Sequence, residues 1–223
     1  MIEKIKSKTK KIKKQAGFTL IEVIVASAIL VVASIPILAS FVTSTKMNSL
    51  GRQKQQAMTV AENLMEGIKA VGPQTAYKWA QANCASASYT VIPANDSGKT
   101  AMSADTTSDG YGKTGTETEV DLTSYELGLD PNNKINKKVK ITPSNYKFKV
   151  KNIFMGNSYY DAEITITQDI TDADFMAAYA YQTQFGNVNM NIMKYYTIQI
   201  NVSNSKNTSE VLAKYSGTVI SKD

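Results

Sequence analysis

The chain has 223 residues, 43% of them hydrophobic and 20% charged, with 25 basic side chains against 19 acidic ones. It has no histidine and a single cysteine, Cys84, which excludes histidine-based triads, histidine acid–base catalysis, the usual zinc sites and an internal disulfide. The first 17 residues hold seven lysines and one acid, leaving 18 side chains of each sign in the rest of the chain, so the net charge of +6 resides in a leader and gives no support to general DNA affinity.

Residues 1–16 carry Lys4, Lys6, Lys8, Lys10, Lys11, Lys13 and Lys14 against Glu3 alone. From Phe18 to Val42 there follow 25 residues in which Glu22 is the only ionisable side chain. That is long enough to cross a hydrocarbon core of ~30 Å as a helix, and the lysines before it hold the N-terminus in the cytoplasm. An ordinary secretory signal has an apolar stretch of about 7 to 15 residues ending in a small-x-small exit. Here Ala26-Ser27-Ala28 lies in the middle of a much longer run. A carboxylate near the middle of a lipid-facing helix costs roughly 2.5 to 3.5 kcal/mol and calls for a partner.

The lysine-rich leader, the string Gly17-Phe18-Thr19-Leu20-Ile21-Glu22-Val23 and the apolar helix after it resemble the processing site of type IV prepilins and type II secretion pseudopilins. The resemblance implies that a membrane peptidase cuts between Gly17 and Phe18 on the cytoplasmic side and methylates the new amine of Phe18. It further implies that Glu22 meets the N-terminal amine of a neighbouring subunit as helices stack into a filament.

Beyond the apolar stretch, Leu50, Ala57, Ala61, Leu64, Ile68 and Val71 fall on one stripe of a helix, with charged and amide side chains between them. The pattern predicts a helix from Phe18 to Val71, roughly 80 Å long at 1.5 Å per residue. Pro36 should kink or loosen it, and Gly72-Pro73 should stop it.

Residues 74–134 are poor in large aliphatic side chains and predict extended surface loops with short strands near 89–92 and 119–122. Asp105, Asp109 and Glu117 offer a poor match to an acidic calcium loop, since Thr107 stands at a ligand position and Glu117 comes one place late. A solvated turn is the alternative.

The remaining chain predicts strands at 137–141, 146–154, 159–167, 195–203 and 215–220, each rich in β-branched and aromatic residues with period-two alternation. A three-residue Met155-Gly156-Asn157 loop would pair Lys151 with Asp161, Lys149 with Glu163 and Phe148 with Ile164, placing charged pairs on one face. The insertion at about 168–194 carries Asp169, Asp172 and Asp174 ahead of Phe175, suggesting an acid-capped helical turn or short helix; Phe175, Met176, Tyr179, Met190 and Met193 either pack onto the sheet edge, the favoured reading, or are available to a neighbouring subunit.

These elements give an α+β fold, and the resemblance implies a pilin-like lollipop: a long N-terminal α-helix packed on a C-terminal antiparallel β-sheet. The expected organisation is a cleaved leader (1–17), a transmembrane and filament-core half-helix (18–42), an amphipathic half-helix (43–72), a variable polar loop region (73–134) and a globular head (135–223). The expected role is that of a structural subunit of a type IV pilus with no enzymatic activity and no cofactor. The sequence from Ala61 to Glu66 and the long head favour a minor pilin. Other readings are a pseudopilin of a type II secretion or competence (DNA-uptake) system and a signal-anchored external binding or enzymatic domain. The expected partners are other pilin subunits, prepilin peptidase, the assembly machinery and the bilayer, with no nucleic acid. The expected location is the cytoplasmic membrane, crossed once with the N-terminus inside, and then an extracellular filament.

Overall fold

The computed structural model describes residues 17–83, 102–107, 110–121, 138–172, 175–176, 178–180, 182 and 192–221. It divides into two compact units, residues 1–50 and residues 51–223. The fold class is α+β, with a long N-terminal helix followed in the chain by a C-terminal antiparallel sheet.

Helix α1 runs over Leu20–Val71, 52 residues, and stays helical through Pro36. In the first unit its side chains from Leu20 onward are exposed apart from the half-buried Ser34. In the second unit α1 becomes one-sided: Ala57, Val60, Ala61, Met65 and Ile68 are buried. The expected stripe is correct at Ala57, Ala61 and Ile68, whereas Leu50 and Val71 are exposed. Val60 and Met65 are the buried positions the stripe left out.

At the end of α1, Gly72 adopts φ 85° and ψ 153°, a conformation open in practice only to glycine. Its N–H still reaches the Ile68 carbonyl at 2.9 Å. Pro73, with no N–H to satisfy, then opens a second helix, α2 (Pro73–Ala82). The Gly72-Pro73 pair therefore ends one helix and begins another, where extended loops were expected. Ala76, Tyr77 and Ala80 form the buried side of α2, a short periodicity within Pro73–Ala82 that the polar texture of the region obscured.

The strands are β1 (Ser103–Asp105), β2 (Gly112–Thr114), β3 (Thr118–Asp121), β4 (Lys138–Ile141), β5 (Asn145–Met155), β6 (Ser158–Asp169), β7 (Lys194–Asn204) and β8 (Asn207–Ser221). The main sheet has the order β1-β5-β6-β7-β8, with β2 also pairing β5, and β3 and β4 form a separate two-stranded sheet. One face is a continuous apolar surface: Tyr146, Phe148 and Val150 of β5, Tyr160, Ala162, Ile164 and Ile166 of β6, Tyr196, Ile198, Ile200 and Val202 of β7, and Ala213 of β8. These residues share one core with the buried side of α1 and with α2. Ala57 and Ala61 let the α1 backbone lie close to the strands. On β8, Gly217 leaves room for Met65, whose Cε would lie 3.3 Å from a Cβ placed there. A second, smaller cluster joins Val139 and Ile141 of β4 to Phe175, Met176 and Ala180. Asp172 accepts the Phe175 N–H at 2.9 Å, so the acid-capped turn forms, and its apolar side chains pack against β4.

The β5–β6 hairpin differs from expectation in an informative way. Lys149 pairs with Glu163 and Phe148 with Ile164, as the alternation predicts, but Met155 pairs with Ser158 across a two-residue turn. The odd residue lies in a β-bulge between Val150 and Ile153. Lys151 therefore does not face Asp161. Asn152 takes φ 60° in the bulge and donates its N–H to the Asp161 carboxylate at 3.1 Å. The bulge changes the phase of β5, so even-numbered residues face the core before it and Ile153 and Met155 face it afterwards.

Gly156 occupies the turn with φ 62°, and a Cβ there would meet the Gln56 side-chain nitrogen at 2.1 Å. Gln56 accepts a hydrogen bond from the Tyr160 hydroxyl at 2.9 Å, which fixes the amide in that place. Gly156→Ala is expected to lower stability by about 1–2 kcal/mol through the left-handed backbone and the displaced Gln56. Gly67→Ala, at an open position on α1, is expected to raise it by about 0.5–1 kcal/mol. Urea unfolding of the detergent-solubilised chain followed by circular dichroism measures both, and equal effects at the two positions would contradict the assignment.

Candidate processing and assembly site

The N-terminal junction is built by the start of α1. Gly17, Phe18 and Thr19 are non-helical and exposed, and the helix begins at Leu20. Phe18 is 81% exposed, so the Gly17–Phe18 peptide bond lies in an accessible, unfolded stretch of backbone. The Thr19 carbonyl accepts the N–H groups of Glu22 at 3.0 Å and Val23 at 3.2 Å. The Thr19 hydroxyl oxygen also lies 3.4 Å from the Glu22 N–H. Thr19 is thus the N-cap of α1 and Glu22 its third residue, the Thr-x-x-Glu spacing of a capping box.

This placement keeps Glu22 at the start of the apolar helix, as a helix beginning near Phe18 implies. It lies in the first turn, where unpaired N–H groups and the positive end of the helix dipole favour a carboxylate. The Thr19-x-x-Glu22 pattern was present in the sequence and identifies this position without structural help. Further along, the serine and threonine hydroxyls return their hydrogen bonds to the helix itself: Ser27 to Ile24, Ser34 to Leu30 and Val31, Thr43 to Ala39 and Thr45 to Phe41. These residues therefore add no unsatisfied polar group to the apolar surface. Among the described residues α1 is the helix long and apolar enough to cross a membrane, by length and composition.

Residues 12–38 match the family model described as the prokaryotic N-terminal methylation motif. The chain carries that motif. The match supports the type IV prepilin and pseudopilin family, and with it a pilin-like precursor cleaved by prepilin peptidase. The motif takes in the end of the leader with Gly17, then Phe18, Glu22 and the apolar start of α1. Together with the apolar helix it supports membrane anchoring. Neither a curated protein nor a solved structure matches the chain.

Away from the motif, the second feature singled out in the sequence is the lysine-rich strand face. Each lysine described there is met by an acid. Lys147 pairs with Glu163 at 2.7 Å, Lys149 with Asp161 at 3.6 Å and Lys151 with Asp105 at 2.9 Å. Lys138 pairs with Glu119 at 3.1 Å and Lys140 with Glu117 at 2.9 Å across β3 and β4. The hydrogen bonds that Lys138 donates to Glu119 and Lys140 donates to Glu117, followed by the charges of those acids, raise the pKa of both lysines. Tyr111, with the Lys147 amine 5.4 Å from its ring centre, has its pKa raised by burial and then by the charges of Glu163, Asp105 and Asp161.

The calcium candidates share in this pairing. Asp105 gives one carboxylate oxygen to Lys151 and the other to the Thr107 N–H, and Glu117 is engaged by Lys140. Asp109 lies outside the described residues, as does Cys84. No group of three potential metal ligands occurs among the described residues.

Thr19→Ala is expected to cost about 1 kcal/mol at the helix start through loss of the cap, whereas Thr19→Ser should preserve it. Amide exchange of Ile21, Glu22 and Val23 in micelles checks this: exchange accelerates in the alanine variant only.

Proposed function

We propose that this chain is a structural subunit held in the cytoplasmic membrane by residues 18–42, cut between Gly17 and Phe18, N-methylated on Phe18 and assembled through α1 into a type IV pilus. The single observation that carries this reading is the methylation motif running directly into an exposed apolar helix capped at Thr19.

The chemistry follows from charge. Cleavage turns the Phe18 nitrogen from an uncharged amide into a cationic amine, four residues ahead of Glu22. In an apolar stem a carboxylate and an amine from adjacent subunits satisfy each other at lower cost than either alone. The lysine-rich leader keeps the scissile bond on the cytoplasmic side and directs the sheet-bearing unit outward. The proposed role is structural rather than catalytic. Partners are prepilin peptidase, the assembly machinery and neighbouring pilin subunits.

A minor position in the filament is favoured by the sequence from Ala61 to Glu66 and the size of the head. A pseudopilin of a secretion or DNA-uptake system is the second reading. The ion pairs along β3 to β6 weigh against the DNA-uptake branch, because the lysines that would contact phosphate are already engaged by acids.

Mass spectrometry of the mature protein should show an N-terminus at Phe18 bearing one methyl group. A start at Met1, or downstream of Ser40, would overturn the reading. The Glu22→Ala chain should be cleaved normally yet fail to enter filaments sheared from cells, and incorporation at the wild-type level would remove Glu22 from the assembly role.

A further inference from the structure

The end of α1 and the start of α2 meet at Gly72 and, together with β5 and β6, enclose a cavity of about 320 Å³ that lies wholly within the second unit. Its floor is Phe148, Val150 and Ile164, all buried in the core, and Ile68, Ala76 and Trp79 stand around it. Asn63 and Thr75, both exposed, put an amide and a hydroxyl at its mouth. Among the described residues the rest of the side-chain lining is hydrocarbon apart from the Trp79 indole N–H.

Asn63, Gly67 and Val71 follow one another at intervals of four and are all exposed, so they form one ridge of α1 that is also the lip of the cavity. Gly67 is a notch in that ridge. A Cβ there would meet no atom within 4 Å, so no close approach of another element demands a glycine. The backbone at this point is regular helix and does not demand one either. Glycine inside a helix is destabilising relative to alanine. Here it stands where a side chain would project into the mouth of the cavity.

The dimensions of the cavity select its occupant. A single helical turn with its side chains, about 10–12 Å across and 5.4 Å high, is larger than the space. A strand cannot add itself here, because the surrounding backbone is helical or belongs to β5 and β6, which already pair on both sides. A benzene-sized group fits an apolar cavity of about 150 Å³, so one aromatic side chain from a partner would leave roughly half of this one empty. Water finds few hydrogen-bond partners against hydrocarbon walls.

We propose that this cavity is a binding site for a small amphiphile with a single alkyl chain. The chain lies on Phe148, Val150 and Ile164, and a small hydrogen-bonding head stays at the mouth with Asn63 and Thr75. Gly67 is the point of entry. The hydrocarbon interior rejects a charged or strongly polar group, which would lose its hydration there without compensation. The site is independent of the filament reading and stands or falls without it.

The test uses the full chain in lipid nanodiscs, because a detergent would itself supply alkyl chains. Trp79 is the only tryptophan of the chain and lines the cavity, so its fluorescence reports occupancy. Decanol brominated at the far end of its chain should quench Trp79 saturably, and unbrominated decanol should relieve the quenching. Gly67→Phe should weaken binding by about tenfold or more with the circular dichroism of the folded chain retained, while Gly67→Ala should still bind. Val71→Phe fills the same lip from an exposed position that leaves the core untouched, and should weaken binding as well. Quenching that rises linearly with probe and is equal in every chain would reveal partition into the bilayer only and overturn the inference. Saturable quenching that neither phenylalanine variant alters would overturn it too, since the probe would then sit elsewhere.

Discussion

A helix that is apolar on every side cannot be left to water. Between Leu20 and Val42 the side chains of α1 are exposed apart from the half-buried Ser34, and Glu22 is the only charge. Burying a leucine or isoleucine side chain is worth about 1.5–3 kcal/mol. Leaving the stretch's fourteen exposed leucine, isoleucine, valine and phenylalanine side chains in solvent would outweigh the whole net stability of an ordinary domain, about 5–15 kcal/mol. Something other than this chain's own sheet must cover that surface. The remainder of the molecule is arranged around this need: a leader that delivers the segment to lipid, a cap that starts the helix at a defined residue, and a change of character near Gly51 after which the same helix becomes one-sided.

The second half of α1 solves a different problem. A helix laid on a sheet approaches closely only where its contacting residues are small, and Ala57 and Ala61 supply that contact, with Gly217 making room for Met65. The sheet face beneath them is assembled from four strands whose inward residues are nearly all aromatic or β-branched. Its lysine-bearing strand on the other side is neutralised locally, strand by strand, by Glu163, Asp161 and Asp105.

Much of this was legible in the sequence because it rests on period and charge. The alternation in β5, β6 and β7 fixed which face each residue takes, and the run of apolar residues after seven lysines identified the anchor. What escaped was set by backbone geometry rather than by pattern. Asn152 in a left-handed conformation, held by Asp161, absorbs the extra residue that parity required, and a loop of three residues satisfied the same arithmetic. Helix α2 was hidden because Gly72-Pro73 is both a stop and a start, and its ten residues bury only a few small or aromatic side chains. The third position of Glu22 in the helix followed from Thr19, a capping signal present but outweighed by the hydrophobicity around it.

The bulge at 151–152 makes β5 two strands of opposite phase joined end to end. The rule for which positions tolerate charge therefore inverts part-way along a single strand. In the half nearer Asn145 odd positions accept lysine, while in the half nearer the turn the odd positions Ile153 and Met155 must stay apolar. Deletion of Asn152 would place Ile153 two positions after Val150 and make β5 a regular strand, with both halves still facing the core and the hydrogen bond to Asp161 lost. A one-residue deletion anywhere else in β5 would instead turn the part of the strand beyond it away from the core.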